Sequence, residues 1–437
     1  MLVFFCGRRS LGAGLVALLV VGYSYGVLRA NFPTNGSHFF FDAAVLGLYM
    51  AVFMTPARSK ARFRSLSLQP WVAILMVWPF LMFFVPTQDW AIQLVGLRGA
   101  VFFLPFLLIG ARMEEKDYSI LATGMAVLNI GVLVIALWQF FFGIESFFPH
   151  NAVTELIYRS NDVSGRSYRI PATFVQAAAY GGAMALSMPF LIGAWTKKTS
   201  GSIFRRRILE AGLVASGLGV FLSASRTSAI LLTISVLGIF TSFKLKASHR
   251  AALIALILVL GWLVGKDARL QRFTSLNADV VTERIGWSVN SGFIDVLMKY
   301  PMGNGLGGGG TSIPYFLQAR LQNPVLIENE YGRILAEQGV LGLIVWIAFI
   351  VWLLFQAWPG KVRQEYLGRL LLWCAIAFSF VGAPLGTGLL TAIPQTAIFL
   401  LACGWLVGRQ REESLASGRP RTQCQGRQWP SQVFSYK

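Results

Sequence analysis

The sequence predicts an all-α membrane protein of about twelve spanning helices with one large extracytoplasmic loop. Three observations predict it: apolar runs long enough to cross a bilayer, basic residues gathered in alternate connections, and a single long stretch that fits neither pattern. Composition agrees. With 55% hydrophobic and 13% charged residues over 437 positions, and a mean hydropathy of +0.60, the chain has more apolar surface than a water-soluble domain can hide.

Spanning takes about 20 apolar residues, and the runs that meet or approach this are 11–28, 39–54, 70–86, 91–110, 119–143, 172–195, 208–223, 227–243, 251–265, 331–358, 370–386 and 389–408. The first follows Arg8 and Arg9 like a signal peptide, but it lacks a small-residue cleavage site and more spans follow, so it reads as a retained helix. Between spans, Arg58 to Arg64, Arg112 and Lys116, Lys197 to Arg207, Lys244 to Arg250, Lys361 to Arg369 and the tail after Arg409 carry the positive charge. The positive-inside rule makes these cytoplasmic, and with them both termini, which requires an even number of spans. The formal charge of +19 therefore orients helices, and nucleic acid is excluded as a partner. The organisation read from this is a nine-helix region over 1–265, an extracytoplasmic loop over 266–326, a three-helix region over 327–408 and a cytoplasmic disordered tail over 409–437. The four cysteines have no metal-like or paired spacing, no histidine cluster exists, and neither metal nor cofactor is expected.

Several polar residues break the apolar pattern. Arg226 lies in Ser-Ala-Ser-Arg-Thr-Ser, an outward corner between two apolar runs, where it reads either as a phosphate-binding guanidinium among hydroxyls or as an arginine snorkelling and capping carbonyls. Arg284, in Glu-Arg-Ile-Gly-Trp of the long loop, is either a second such cation or a solvated partner of Glu283 or Asp279. The run Gly303 to Gly310 serves equally as a backbone cradle for an anion or as a hinge, and it lacks the ending of a nucleotide P-loop. Glu328-Asn329-Glu330-Tyr331 opens the tenth span, where Arg333 is spaced to pair with Glu330 and Glu337, leaving Glu328 as a candidate general base. Arg98 interrupts an apolar span, and an arginine at that depth has a function or a partner. Arg159, Arg166 and Arg169 add outward charge that reads more simply as solvated surface.

This layout resembles the O-antigen ligase and O-antigen polymerase superfamily of bacterial polytopic membrane glycosyltransferases. The resemblance rests on the Arg226 corner, Arg284-Ile-Gly-Trp287, Tyr300-Pro-Met-Gly-Asn-Gly305, and Glu328-Asn-Glu-Tyr331 through Glu337-Gln-Gly-Val-Leu-Gly342, in that order. It covers roughly Arg166 to Leu343, and the first five spans match only in hydropathy. It implies a GT-C-like membrane fold and a metal-independent inverting transfer of glycan from undecaprenyl diphosphate to a sugar hydroxyl at the periplasmic face. The implied partners are that donor, a glycan or lipid-glycan acceptor, and membrane lipid. Arg226 and Arg284 would bind the diphosphate and Glu328 would take the acceptor proton, with Arg98, Arg169 and Asn329 as further substrate contacts. One departure is visible: where the family has histidine before asparagine, this chain has Glu328. A transporter or flippase for an anionic solute is the alternative, favoured by Arg98 and the glycine run and disfavoured by the absence of repeat symmetry.

Overall fold

Why these segments become helices follows from solvent. In hydrocarbon each backbone amide must find its partner within the chain, and a helix does this locally. The computed structural model describes residues 1–55, 59–151, 153–162, 168–197, 203–242, 262, 264–267, 269–273, 282, 286, 293–310, 313–325, 327, 329–359, 366–385 and 388–416. Among these the architecture is all-helical, and the only strand-like pairing is an isolated bridge between Asp162 and Tyr168.

The helices are α1 (Leu2–Arg9), α2 (Leu11–Asn31), α3 (Phe40–Phe53), α4 (Ser59–Ser65), α5 (Gln69–Met82), α6 (Trp90–Val101), α7 (Pro105–Arg112), α8 (Glu115–Phe142), α9 (Thr154–Asn161), α10 (Ala177–Thr196), α11 (Ile203–Leu222), α12 (Arg226–Ser242), α13 (Asp295–Lys299), α14 (Glu330–Gln356), α15 (Leu367–Gly382) and α16 (Gln395–Ala416). Among the described residues six helical stretches are long and apolar enough to cross a membrane: Leu11–Asn31, Asn35–Phe53, Trp90–Arg112, Glu115–Phe142, Ala177–Thr196 and Glu330–Gln356. Gln69–Met82, Arg226–Ser242 and Leu367–Gly382 are shorter apolar helices. The expected span 251–265 lies almost wholly outside the described residues.

Three details depart from the hydropathy reading. The span expected over 91–110 is two helices, because Pro105 opens α7 and the chain turns between Phe102 and Leu104. The last span begins at Gln395 rather than 389, and α16 runs on to Ala416, past the boundary drawn at Gly408 for a disordered tail. A short helix, α1, packs against α2 and α3 ahead of the first span.

Among the described residues, connections that carry positive charge meet at one end of the bundle. Arg64 pairs with Glu412 at 3.1 Å and donates to the Arg112 carbonyl, Arg409 pairs with Glu115 and Glu412, and Lys197 reaches Glu115. This basic end also receives Arg8, which donates to the Met54 carbonyl at 2.7 Å. At the opposite, loop end, Gln88 of the α5–α6 connection donates to the carbonyls of Asn304 and Gln322, both at 2.9 Å. Arg269 anchors the start of the long loop there, over the Phe140 ring at the end of α8 and bonded to Asp267, whose carboxyl it holds below the usual range.

A buried polar pin holds the bundle centre. Asn129 of α8 accepts from the Tyr23 hydroxyl of α2 at 2.9 Å and donates to Ser187 of α10 at 2.7 Å and Ser216 of α11 at 2.8 Å. All four side chains are buried, so each bond stands where water cannot replace it. Asn129→Leu is expected to strand the Tyr23 hydroxyl and cost about 1–3 kcal/mol. Reversible unfolding in mixed micelles measures this, and an unchanged midpoint refutes the pin.

Candidate functional site

The loop end contains a cavity of about 220 Å³, and six parts of the chain line it, among them Ile313 and Pro314 of the long loop. The last turns of α2 contribute Tyr25 and Arg29. The turn before α3 contributes His38 and Phe39, and α6 contributes Val95, Arg98 and Gly99. The start of α10 brings Gln176, and the segment before α16 brings Gly388, Thr391 and Ile393.

Arg98 reaches this cavity from a span, and its partner explains how a cation is held there. Its Nε and Nη2 donate to the two oxygens of Asp42, both at 2.7 Å, in a two-point fork. Asp42 stands in the first turn of α3, where the helix dipole favours a carboxylate. The pair is mostly sealed, yet Arg98 is 23% exposed against 9% for Asp42, so the open side of the fork is the guanidinium. Arg29 hydrogen-bonds the Tyr25 hydroxyl, and that hydroxyl donates to the His38 carbonyl at 3.0 Å, which fixes the turn. The His38 ring meets Phe316 edge-on with centroids 5.5 Å apart. The start of α10, with its first N–H bonded to Asn161 at 2.9 Å, adds the positive end of a helix dipole. Two guanidiniums, one committed carboxylate and a helix start make this a cavity suited to an anion.

A buried charge cluster stands behind one wall. Arg333 of α14 donates to Glu330 at 2.7 and 3.0 Å and to Glu337 at 2.7 Å, which is the pairing the i, i+3 and i, i+4 spacing predicts. Glu330 uses its other oxygen to accept from the Gly388 N–H at 2.8 Å, tying the cluster to the cavity lining. The glycine run packs against the same helix. Gly339 interrupts α14 with φ of 70°, a Cβ there would meet the Met302 carbonyl carbon at 2.7 Å, and Asn304 N–H bonds the Ala336 carbonyl at 2.6 Å. On its other side a Cβ at Gly96 of α6 would stand 2.2 Å from the Gly307 nitrogen. With residues 304–309 buried, the run is a wedge between α6 and α14 rather than an open cradle.

The other expected site residues fall in several places. Arg226 is half-buried and opens α12 at the loop end, in a corner where Ala224 has φ of 48°. It is not among the residues that line the cavity. The corner packs on α10 at Gly181, two residues from Ala179 of the cavity wall and so on a different face of that helix. Its hydroxyls are engaged locally: Ser223 donates to the Val220 carbonyl at 2.7 Å, and Ser225 and Ser228 bond each other at 2.9 Å. Asn329 is buried, and its side-chain oxygen caps α14 by accepting from Tyr331 and Gly332 at 2.9 and 3.0 Å. Arg169 donates to the Ser160 carbonyl at 2.5 Å and braces the loop on α9, away from the cavity lining. Arg284, Glu328 and Arg166 lie outside the described residues.

Sequence reading singled out Arg98 but passed over Arg29, His38 and Asp42. A signal for Asp42 was present: a lone acid inside an apolar run needs a cation from another run, and Arg98, unlike Arg333, has no acid spaced to pair with it along its own helix. No family model and no curated protein matches this chain.

Proposed function

We propose that the chain is a metal-independent inverting glycosyltransferase of the O-antigen ligase or polymerase type. It works in the bacterial inner membrane with the basic end and both termini in the cytoplasm. The donor is a glycan on undecaprenyl diphosphate, and the acceptor is a sugar hydroxyl on a glycan or lipid-glycan. The cavity carries this reading, because it gathers Arg29 and Arg98 at the helix ends where a lipid-borne diphosphate arrives. As the bond from anomeric carbon to phosphate oxygen breaks, its electron pair moves onto the diphosphate. Guanidiniums in a low-dielectric site stabilise that charge. The hydroxyl oxygen bonds the anomeric carbon from the opposite face, and its proton passes to Glu328. Arg226 and Arg284 extend the grip on the donor.

Purified protein in detergent, given undecaprenyl-diphosphate-linked glycan and an acceptor with no ion gradient, tests the reading. Wild type is expected to form the glycoside, and Arg226→Ala and Arg284→Ala to lose most of that rate while remaining in the membrane. Normal product from both variants would sink the diphosphate assignment. A transporter for an anionic solute is the second reading, and one feature favours it: the helix break at 102–104 and the irregular segment 388–394 both border the cavity, as in carriers with discontinuous helices. Solute uptake into vesicles without any glycan product would select it.

A further inference from the structure

At the basic end α4 lies against the last turn of α7, held by Arg64, which donates to the Arg112 carbonyl at 3.1 Å. The carboxylates around this contact are already engaged. Glu412 pairs with Arg64 and Arg409, Glu115 with Arg409 and Lys197, and Asp117 accepts from the Gly12 and Glu114 N–H groups. The Arg112 guanidinium is left over. It is half-buried at the last residue of a span, its Nε is buried with no hydrogen-bond partner, and no carboxylate among the described residues pairs with it. Arg62 is exposed on α4, the short helix that Arg64 holds against Arg112, and brings a second positive charge to that contact.

Two neighbouring guanidiniums with no carboxylate between them repel, and partial burial strengthens the repulsion. An anion removes that cost. The level of the bilayer selects which anion: Arg112 terminates a span, and Leu66, just past α4, is 41% exposed beside it in sequence with the helix that carries Arg62. Phosphate at this depth belongs to a lipid headgroup, with acyl chains beneath it. We propose that Arg62 and Arg112 bind the phosphate of an anionic phospholipid at the basic end of the bundle. The site is independent of the transfer chemistry at the opposite end and stands whether or not that reading holds.

Full-length protein in neutral detergent, titrated with phosphatidylglycerol or phosphatidylcholine and read by native mass spectrometry, tests the proposal. Wild type is expected to prefer phosphatidylglycerol by about tenfold or more, as two basic contacts imply. The Arg62→Gln/Arg112→Gln double variant is expected to lose the preference, and Arg159→Gln, an exposed arginine at the other end, to keep it. Equal binding of the two lipids by wild type, or an unchanged preference in the double variant, overturns the proposal. Inorganic phosphate displacing phosphatidylglycerol at equal concentration also overturns it, since a free-ion site would then suffice. Should the double variant fail to fold, the wild-type melting temperature decides: phosphatidylglycerol raises it more than phosphatidylcholine if the site is real, and an equal effect refutes it.

Discussion

Arg29→Gln is expected to lower glycan transfer by about 100- to 1000-fold, the loss typical when one charge-stabilising donor is removed from a preorganised site. Gln is shorter than Arg but keeps an amide donor, and the Tyr25 bond to the His38 carbonyl that holds the turn does not itself involve Arg29. What disappears is the positive charge. If the cavity holds the departing diphosphate, the deficit falls on kcat, because negative charge grows there only as the anomeric bond breaks. A variant whose KM rises while kcat stays unchanged would mean that Arg29 binds ground state and transition state equally. Full activity would remove the cavity from the reaction. Arg98 is the less clean probe, because removing it leaves Asp42 buried without its fork and mixes a folding defect into the rate.

The largest stability effect is expected at Arg333. The guanidinium is 3% exposed between Glu330 and Glu337, at 1% and 3%, so the three groups share a site without water. Arg333→Ala strands two carboxylates in the bundle and is expected to cost about 3–5 kcal/mol. The informative comparison replaces all three with apolar residues of similar volume, which is expected to recover most of that loss. Its rate is then the second reading, since Glu330 also holds the Gly388 N–H at the cavity lining. Unfolding in mixed micelles measures the first effect. A single variant as stable as wild type would mean that the cluster is hydrated and the geometry of α14 is set by packing alone.

Much of the bundle was legible in hydropathy and charge. The sequence places the first span over 11–28 and the helix is Leu11–Asn31; it expects 119–143 and finds Glu115–Phe142. The pairing of Arg333 was equally legible, because spacing along one helix fixes which side chains meet. The breaks were not. Hydropathy averages over about 20 residues and runs straight through the turn at 102–104 and the segment 388–394. That the Asn329 oxygen caps α14 was not legible either, because it depends on the backbone turning just there. The glycine run held two readings until its neighbours were known. Buried contact with Gly96 and Gly339 makes it a wedge.

By itself the sequence determined that the protein is helical, that several of its apolar runs are long enough to cross a membrane, and that basic residues fall in alternate connections. Each of these follows from local composition, and local composition survives any arrangement of the helices. Only the tertiary structure decided which polar residues share a site. Arg98 and Asp42 come from different spans, and Arg29 and His38 from the end of one and the approach to the next. Whether they meet depends on how each helix is rotated about its axis, and that is set by packing among neighbours rather than by the helix's own residues. For the same reason Arg226, conspicuous in the sequence, opens α12 outside the cavity lining, while Arg29, which the sequence left unremarked, lines it.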